Sequence, residues 1–232
     1  MHDWKRFCYR YSPLVLMLGW PAFGAAQPAI DGVWMLDGSY GEGGFTWSEI
    51  AMTEEGQRRY DAFDILSDDP SLECIPSGPG RIWDNPGSPI EIEQLDDRVE
   101  FRFEMFDLRR TVPLNQQGHP LEAAPSTHNL DGRPISTMGH SIGWYEGDEL
   151  LVETLAYEPG FITTMRRYIP QSAAMRSIER FYREGERLVL EITYADSITL
   201  TEPLTFEYRF RRSDFDVVVY GCTPENAGYG DR

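Results

Sequence analysis

The chain has 232 residues, of which 13% are aromatic and 25% charged, and a formal net charge of −17. An acidic surface of that size argues against nucleic acid and anionic lipid as partners. Lys5 is the only lysine, so a Schiff-base lysine, a P-loop lysine and a Ser–Lys dyad are excluded from the body of the chain.

The first residues read as a secretory leader. Lys5, Arg6 and Arg10 precede an apolar run from Pro13 to Trp20, and Gly24, Ala25 and Ala26 offer a cleavage site. A run this short does not span a bilayer, so residues 1–26 are expected to be removed, with no membrane insertion afterwards. That removal leaves 18 basic against 37 acidic side chains. It also takes Cys8, leaving Cys74 and Cys222 as an even pair in an exported, periplasmic or secreted, chain. An oxidising compartment makes them a disulfide. Two cysteines without CxxC or CxH spacing do not make a zinc site.

The expected domain covers 27–222, followed by a polar tail at 223–232. Ile30 to Leu36 forms a short strand, and residues 37–47 are a glycine-rich loop. Thr53 caps a helix running through Glu54 and Glu55 to about Phe63, with both acids in its first turn. Residues 64–89 hold five prolines and form an ordered coil pinned by Cys74.

From Pro89 the apolar period becomes two. Ile90 and Ile92 pair with Val99, Phe101, Phe103 and Met105 across a turn at Asp96-Asp97, and Leu108 to Leu114 follows. A polar loop, Asn115 to Pro134, carries His119 and His128. The next hairpin has His140, Ile142 and Trp144 on its apolar, inward face, a turn at Glu146-Gly147-Asp148, and Leu150, Val152 and Thr154 returning. A linker surrounds Pro159-Gly160. Ser177 to Arg183 then pairs with Leu188 to Tyr194, and a last hairpin sets Leu204 to Phe210 against Phe215, Val217 and Val219. Sequential hairpins with one short helix predict a mostly β fold, an antiparallel up-and-down barrel, with a β-sandwich as the alternative.

Two resemblances bear on this reading. Gly32-Val33-Trp34 on the first strand resembles the signature of lipocalin and calycin barrels. That resemblance implies a tryptophan at the barrel floor with a late-strand arginine over it, Arg209, Arg211 or Arg212. More of the chain resembles a family of exported bacterial proteins: Cys74-Ile75-Pro76, Gly80-Arg81, Pro89 to Ile92, Gly139 to Gly143 with Glu146-Gly147-Asp148, and Glu179-Arg180-Phe181. It implies export and a β-rich fold and carries no catalytic residue. Arg176 stands where that family leads one to expect a histidine.

His140 is the leading candidate for chemistry, as a core histidine or as a catalytic or ligand group whose pKa burial can move across neutrality. His119 is its candidate acid/base partner if the polar loop folds over a barrel mouth. Metal ligation by His119, His128 and His140 matches no compact motif, and no cofactor is expected. Gly139 to Gly143 spells Gly-x-Ser-x-Gly, but a nucleophile elbow needs a strand-to-helix turn, and here a strand continues. Glu91 and Glu179 are candidate carboxylates. Glu91 reads as outward, whereas Glu179, if inside, would be a raised-pKa base or an arginine's partner. Arg81 and Arg110 are the candidate partners, or ligand-binding groups. Trp83 and Trp144, with Trp47 and Tyr157, are candidates to line a mouth for a flat apolar molecule. The expected function is binding, or binding and conversion, of a small hydrophobic or aromatic ligand in the barrel. The alternatives are a cofactor-independent lyase or isomerase using His140, and a non-catalytic envelope protein.

Overall fold

The computed structural model describes residues 28–38, 50–164 and 168–223. The expected leader, most of the expected glycine-rich loop, Trp47 and the expected polar tail beyond Thr223 lie outside them. Twelve strands occur among these residues: β1 (Gly32–Leu36), β2 (Ile90–Gln94), β3 (Arg98–Phe103), β4 (Leu108–Pro113), β5 (Thr127–His128) and β6 (His140–Glu146) in the first half. The second half holds β7 (Glu149–Leu155), β8 (Gly160–Thr163), β9 (Ile169–Gln171), β10 (Arg176–Glu184), β11 (Arg187–Ala195) and β12 (Leu204–Arg212). The helix α1 spans Glu54–Ala62, and the Thr53 side chain accepts from Gly56 N at 3.0 Å, as the sequence predicts.

Ten strands make one sheet, in the order β5-β4-β3-β2-β1-β12-β11-β10-β7-β6. All its ladders are antiparallel, and the two outer regions of the sheet curl together into a nearly closed barrel. Asn115 N donates to Gly143 O at 2.9 Å and Ser126 N to Gly139 O at 2.9 Å. A parallel bridge pairs Leu114 with Gly143 at this seam. Gly143 has no side chain because the edges meet there: a Cβ would lie 2.9 Å from Val112 and 3.3 Å from Leu114. Closing the sheet occupies edges that would otherwise template pairing with other chains.

Period-two strands put one residue in two inside. Trp34 and Leu36 of β1, Ile90 and Ile92 of β2, Phe101 and Phe103 of β3, and Phe206, Tyr208 and Phe210 of β12 all belong to one buried core. The proline-rich coil completes it. Residues 76–83 are buried without a break, and Trp83 stands edge-on to Phe103, Phe181 and Phe210 at centroid distances of 5.0, 5.7 and 6.4 Å. Such edge-to-face pairs add to the burial of large apolar area. Gly80 N donates to Ile162 O at 2.8 Å and Tyr208 Oη to Gly80 O at 3.3 Å, so the coil is held by its backbone as well. The coil thus enters the barrel as a plug.

Three expectations need correcting. The linker around Gly160 contains β8, which pairs with β9 in a separate two-stranded sheet. The last predicted hairpin does not form: β12 already has β1 on one side and β11 on the other, leaving no edge for residues 215–219. Their chain returns to the far end of the barrel, where Tyr220 N and Gly221 N donate to the Asp107 carboxylate at 2.8 and 3.0 Å. The Cys74–Cys222 disulfide, as expected, anchors this segment to the coil. The third correction concerns the facing of β6. Ser141, Gly143 and Tyr145 stand opposite Thr154, Val152 and Leu150, whose side chains are interior. His140, Ile142 and Trp144 therefore face outward.

Candidate functional site

Adjacent residues of β6 head two polar clusters, one on each side of the barrel wall. On the inner side, Arg110 of β4 reaches across the seam to Glu179 of β10. Its Nη1 donates to Oε1 at 2.9 Å and its Nη2 to Oε2 at 2.6 Å. Ser141 Oγ accepts from Arg110 Nε and Nη2 at 3.2 and 2.8 Å, and Thr154 Oγ1 accepts from Nη2 at 3.1 Å. Arg110 is 4% exposed and Glu179 4%, so the pair is shielded from water and from ligands. Glu179 holds Arg110 above the ordinary guanidinium value, overcoming the opposing effect of burial. Tyr157 Oη shares a 2.6 Å hydrogen bond with Ser177 Oγ beside the pair, and burial raises its phenol well above the usual range.

The expectation that an inward Glu179 would partner an arginine holds, with Arg110 as that arginine. The Gly-x-Ser-x-Gly serine points inward too, but as an acceptor for a cation, with no base beside it to activate it.

The outer cluster is built by the polar loop. It leaves β4 at Asn115, crosses the outer face of β6, and rejoins at Ser126, whose Oγ accepts from Ser141 N at 2.7 Å. This course lays His119 over His140: the two Nδ1 atoms are 2.7 Å apart and the ring planes cross at 71°. His119 Nε2 lies 3.4 Å from Glu153 Oε2 of β7, close enough for charge attraction but without hydrogen-bond alignment, and that nitrogen is buried. His140 is half-buried. Burial, and then the neighbouring His119, hold it below the ordinary imidazole value.

A short Nδ1–Nδ1 contact requires one ring to donate and the other to accept. The tautomer pair that also turns an N–H toward Glu153 makes His119 the acceptor at Nδ1 and His140 the donor. That choice leaves the lone pair of His140 Nε2 outside the contact.

The remaining candidates lie apart. Glu91 is on the outer face in an ion pair with Arg102. Arg81 donates to Asp84 O at 2.7 Å near the coil plug. Trp83 is 2% exposed in the core, Tyr157 is 4% exposed, and neither lines a mouth. Trp144 shares the outer face of β6 with His140 but sits two positions further along it. His128 Nδ1 contacts Asn129 O at 2.8 Å, away from the histidine pair. Among the described residues no group of three His, Cys, Asp or Glu side chains is placed to hold a metal ion.

Sequence reasoning missed Glu153 and the inward turn of Ser141, and gave Thr154 only as a position on the returning strand. The signal was present in the two-residue turn Gly147-Asp148, which sets the hairpin register. That register puts Glu153 opposite Ile142 and Thr154 opposite Ser141. No family model, no curated protein and no solved structure matches this chain.

Proposed function

We propose that the protein is an exported, cofactor-independent catalyst of proton transfer, with His140 as the general base or acid and His119 as the group that orients and polarises it. The observation that carries this reading is the 2.7 Å contact between the two imidazoles. It joins a half-exposed histidine to a nearly buried one, with the Glu153 carboxylate behind. A base, an orienting group and a charge behind it are the recurring parts of acid–base sites. Lowering the His140 pKa keeps its lone pair free at neutral pH. The leader-like N-terminus and the disulfide support the exported compartment.

The test uses a generic carbon acid, 5-nitrobenzisoxazole, whose ring opens when a base removes one carbon-bound proton. The wild type is expected to open it faster than matched buffer imidazole, with a rate that rises through a pKa below the ordinary imidazole value. His140→Ala should fall to the buffer rate. Equal rates for wild type and His140→Ala would refute the assignment.

A second reading, binding of a small hydrophobic molecule, draws on a groove of about 580 Å3 beside the disulfide, with Ile75, Pro76, Phe106, Leu130 and Ile135 in its walls. It places the ligand outside the barrel, because Trp83 and its neighbours occupy the interior. Native mass spectrometry of protein isolated from its exported fraction would reveal a copurifying molecule. Its loss in Ile135→Glu would assign the groove.

A further inference from the structure

Among the described residues of this acidic protein, four arginines gather at one end of the barrel. That end holds the β2–β3, β6–β7 and β10–β11 turns. There a groove of about 560 Å3 is lined by Arg183, Arg187, Arg211 and Arg212, with Asp37 and Glu186 as the opposing carboxylates.

Trp34 organises this patch. It is fully buried, and its Nε1 donates to Ile30 O at 2.8 Å. Two guanidinium groups lie over its ring, Arg212 at 4.3 Å and Arg183 at 4.9 Å from the centroid. The bare Cα of Gly32 admits the first, since a Cβ there would stand 1.8 Å from Arg212 Nη1. Two guanidinium groups over one ring bring like charges together, and the cation–π attraction of each works against that repulsion.

The carboxylates do not resolve this crowding. Among the described residues only Arg187 of the four has a carboxylate partner, Asp37 at 2.8 Å. Arg183 spends its three nitrogens on the backbone carbonyls of Arg187, Ala29 and Gly185 at 3.1, 3.1 and 2.9 Å. Arg211 is exposed, and its Nη2 is 3.6 Å from Met35 Sδ. Burial first, and the Arg212 charge second, hold Arg183 below the ordinary guanidinium value, with Glu186 acting in the other direction. Guanidinium groups fixed by stacking and by carbonyl acceptors are preorganised, so a bound anion need not pay for ordering them.

We propose that this groove is an anion site that takes a phosphate-type oxyanion, bound by Arg211 and Arg212 with Arg183 and Arg187 completing the positive field. The geometry favours a compact, multiply charged group, which accepts from several forked donors at once. The same chemistry occurs on free phosphorylated molecules and on lipid headgroups. It is independent of the histidine pair, which lies at the opposite end of β6.

The experiment is a thermal-shift and calorimetric titration of the mature chain with inorganic pyrophosphate, against sodium chloride at equal ionic strength. The wild type is expected to bind saturably and to melt higher as pyrophosphate rises. Arg211→Gln, which removes an exposed charge without touching Trp34, should leave the anion-free melting temperature unchanged and weaken binding at least tenfold. Arg183→Gln should weaken binding as well. A parallel sedimentation assay uses phosphatidylglycerol vesicles, with phosphatidylcholine vesicles as control. Binding of pyrophosphate alone supports a free phosphorylated ligand, and Arg211-dependent cosedimentation with the anionic vesicles supports a headgroup. The proposal is overturned by no saturable binding in either assay, or by binding that Arg211→Gln and Arg183→Gln leave unchanged.

Discussion

Ser141 and His140 are neighbours in sequence and lie on opposite sides of the barrel wall, and their clusters differ in almost every physical respect. The inner one, Arg110 with Glu179, Ser141 and Thr154, is sealed from water and has bidentate geometry. The outer one, His140 with His119 and Glu153, is half-open, has loose alignment at one contact, and contains in His140 an imidazole that burial and then His119 hold below its ordinary value. A buried ion pair resists change, because removing either partner strands a charge in a low dielectric. A half-exposed imidazole pair tolerates change of protonation, which acid–base chemistry requires. Polar groups within one strand can therefore divide between holding the barrel shut and acting at its surface.

The sharpest way to break this contrast is Glu179→Ala. It leaves Arg110 buried and uncompensated and should cost about 3–5 kcal/mol in urea unfolding. Replacing both partners, Arg110→Met with Glu179→Leu, should recover most of that loss. A loss under about 1 kcal/mol for the single variant would show that the inner cluster is not structural. Ser141→Ala comes next. It removes one acceptor while Glu179 still holds the guanidinium, for about 1–2 kcal/mol, and should leave the benzisoxazole rate unchanged.

His140→Gln is expected to fall within about 0.5 kcal/mol of the wild type at pH 7.5. Its effect belongs to the pH dependence. Because the folded value of His140 is depressed, the unfolded chain takes up this proton first as pH falls below about 6.5. Stability is then complete above that pH and declines on acidification towards the folded value. Melting temperatures recorded from pH 7.5 to 5 should fall less steeply for His140→Gln, and parallel curves would contradict the shift. Glu153→Gln should have the smallest effect on stability. Nitrogen-15 imidazole spectra should nonetheless show His119 losing its preference for the Nε2–H tautomer, and an unchanged spectrum would remove Glu153 from the site.

Much of this architecture was legible in order along the chain. Alternation at Ile90, Ile92, Val99, Phe101 and Phe103 identified strands whose inner faces are these residues. Thr53 with Glu54 and Glu55 marked the start of the helix, and the cysteine count identified the disulfide. The alternation misled at β6, where both faces carry buried residues. Ile142 and Leu151 are 5% and 7% exposed on the outer side, covered by contacts that the local pattern does not encode. The inward positions there are serine, glycine and tyrosine, because an arginine and a neighbouring strand occupy the space. The strand-like alternation of Phe215, Val217 and Val219 misled for another reason: pairing needs a free edge, and β1 had taken it.

By itself, then, the sequence determined the strand periodicity, the capped helix and the pairing of Cys74 with Cys222, because each depends on residues close in sequence or few in kind. Only the tertiary structure decided which side of the His140 hairpin is inside, that the proline-rich coil fills the barrel with Trp83, and that His119 meets His140. These depend on how a curved sheet closes and where a long loop lands, which are set by contacts between residues distant in the chain.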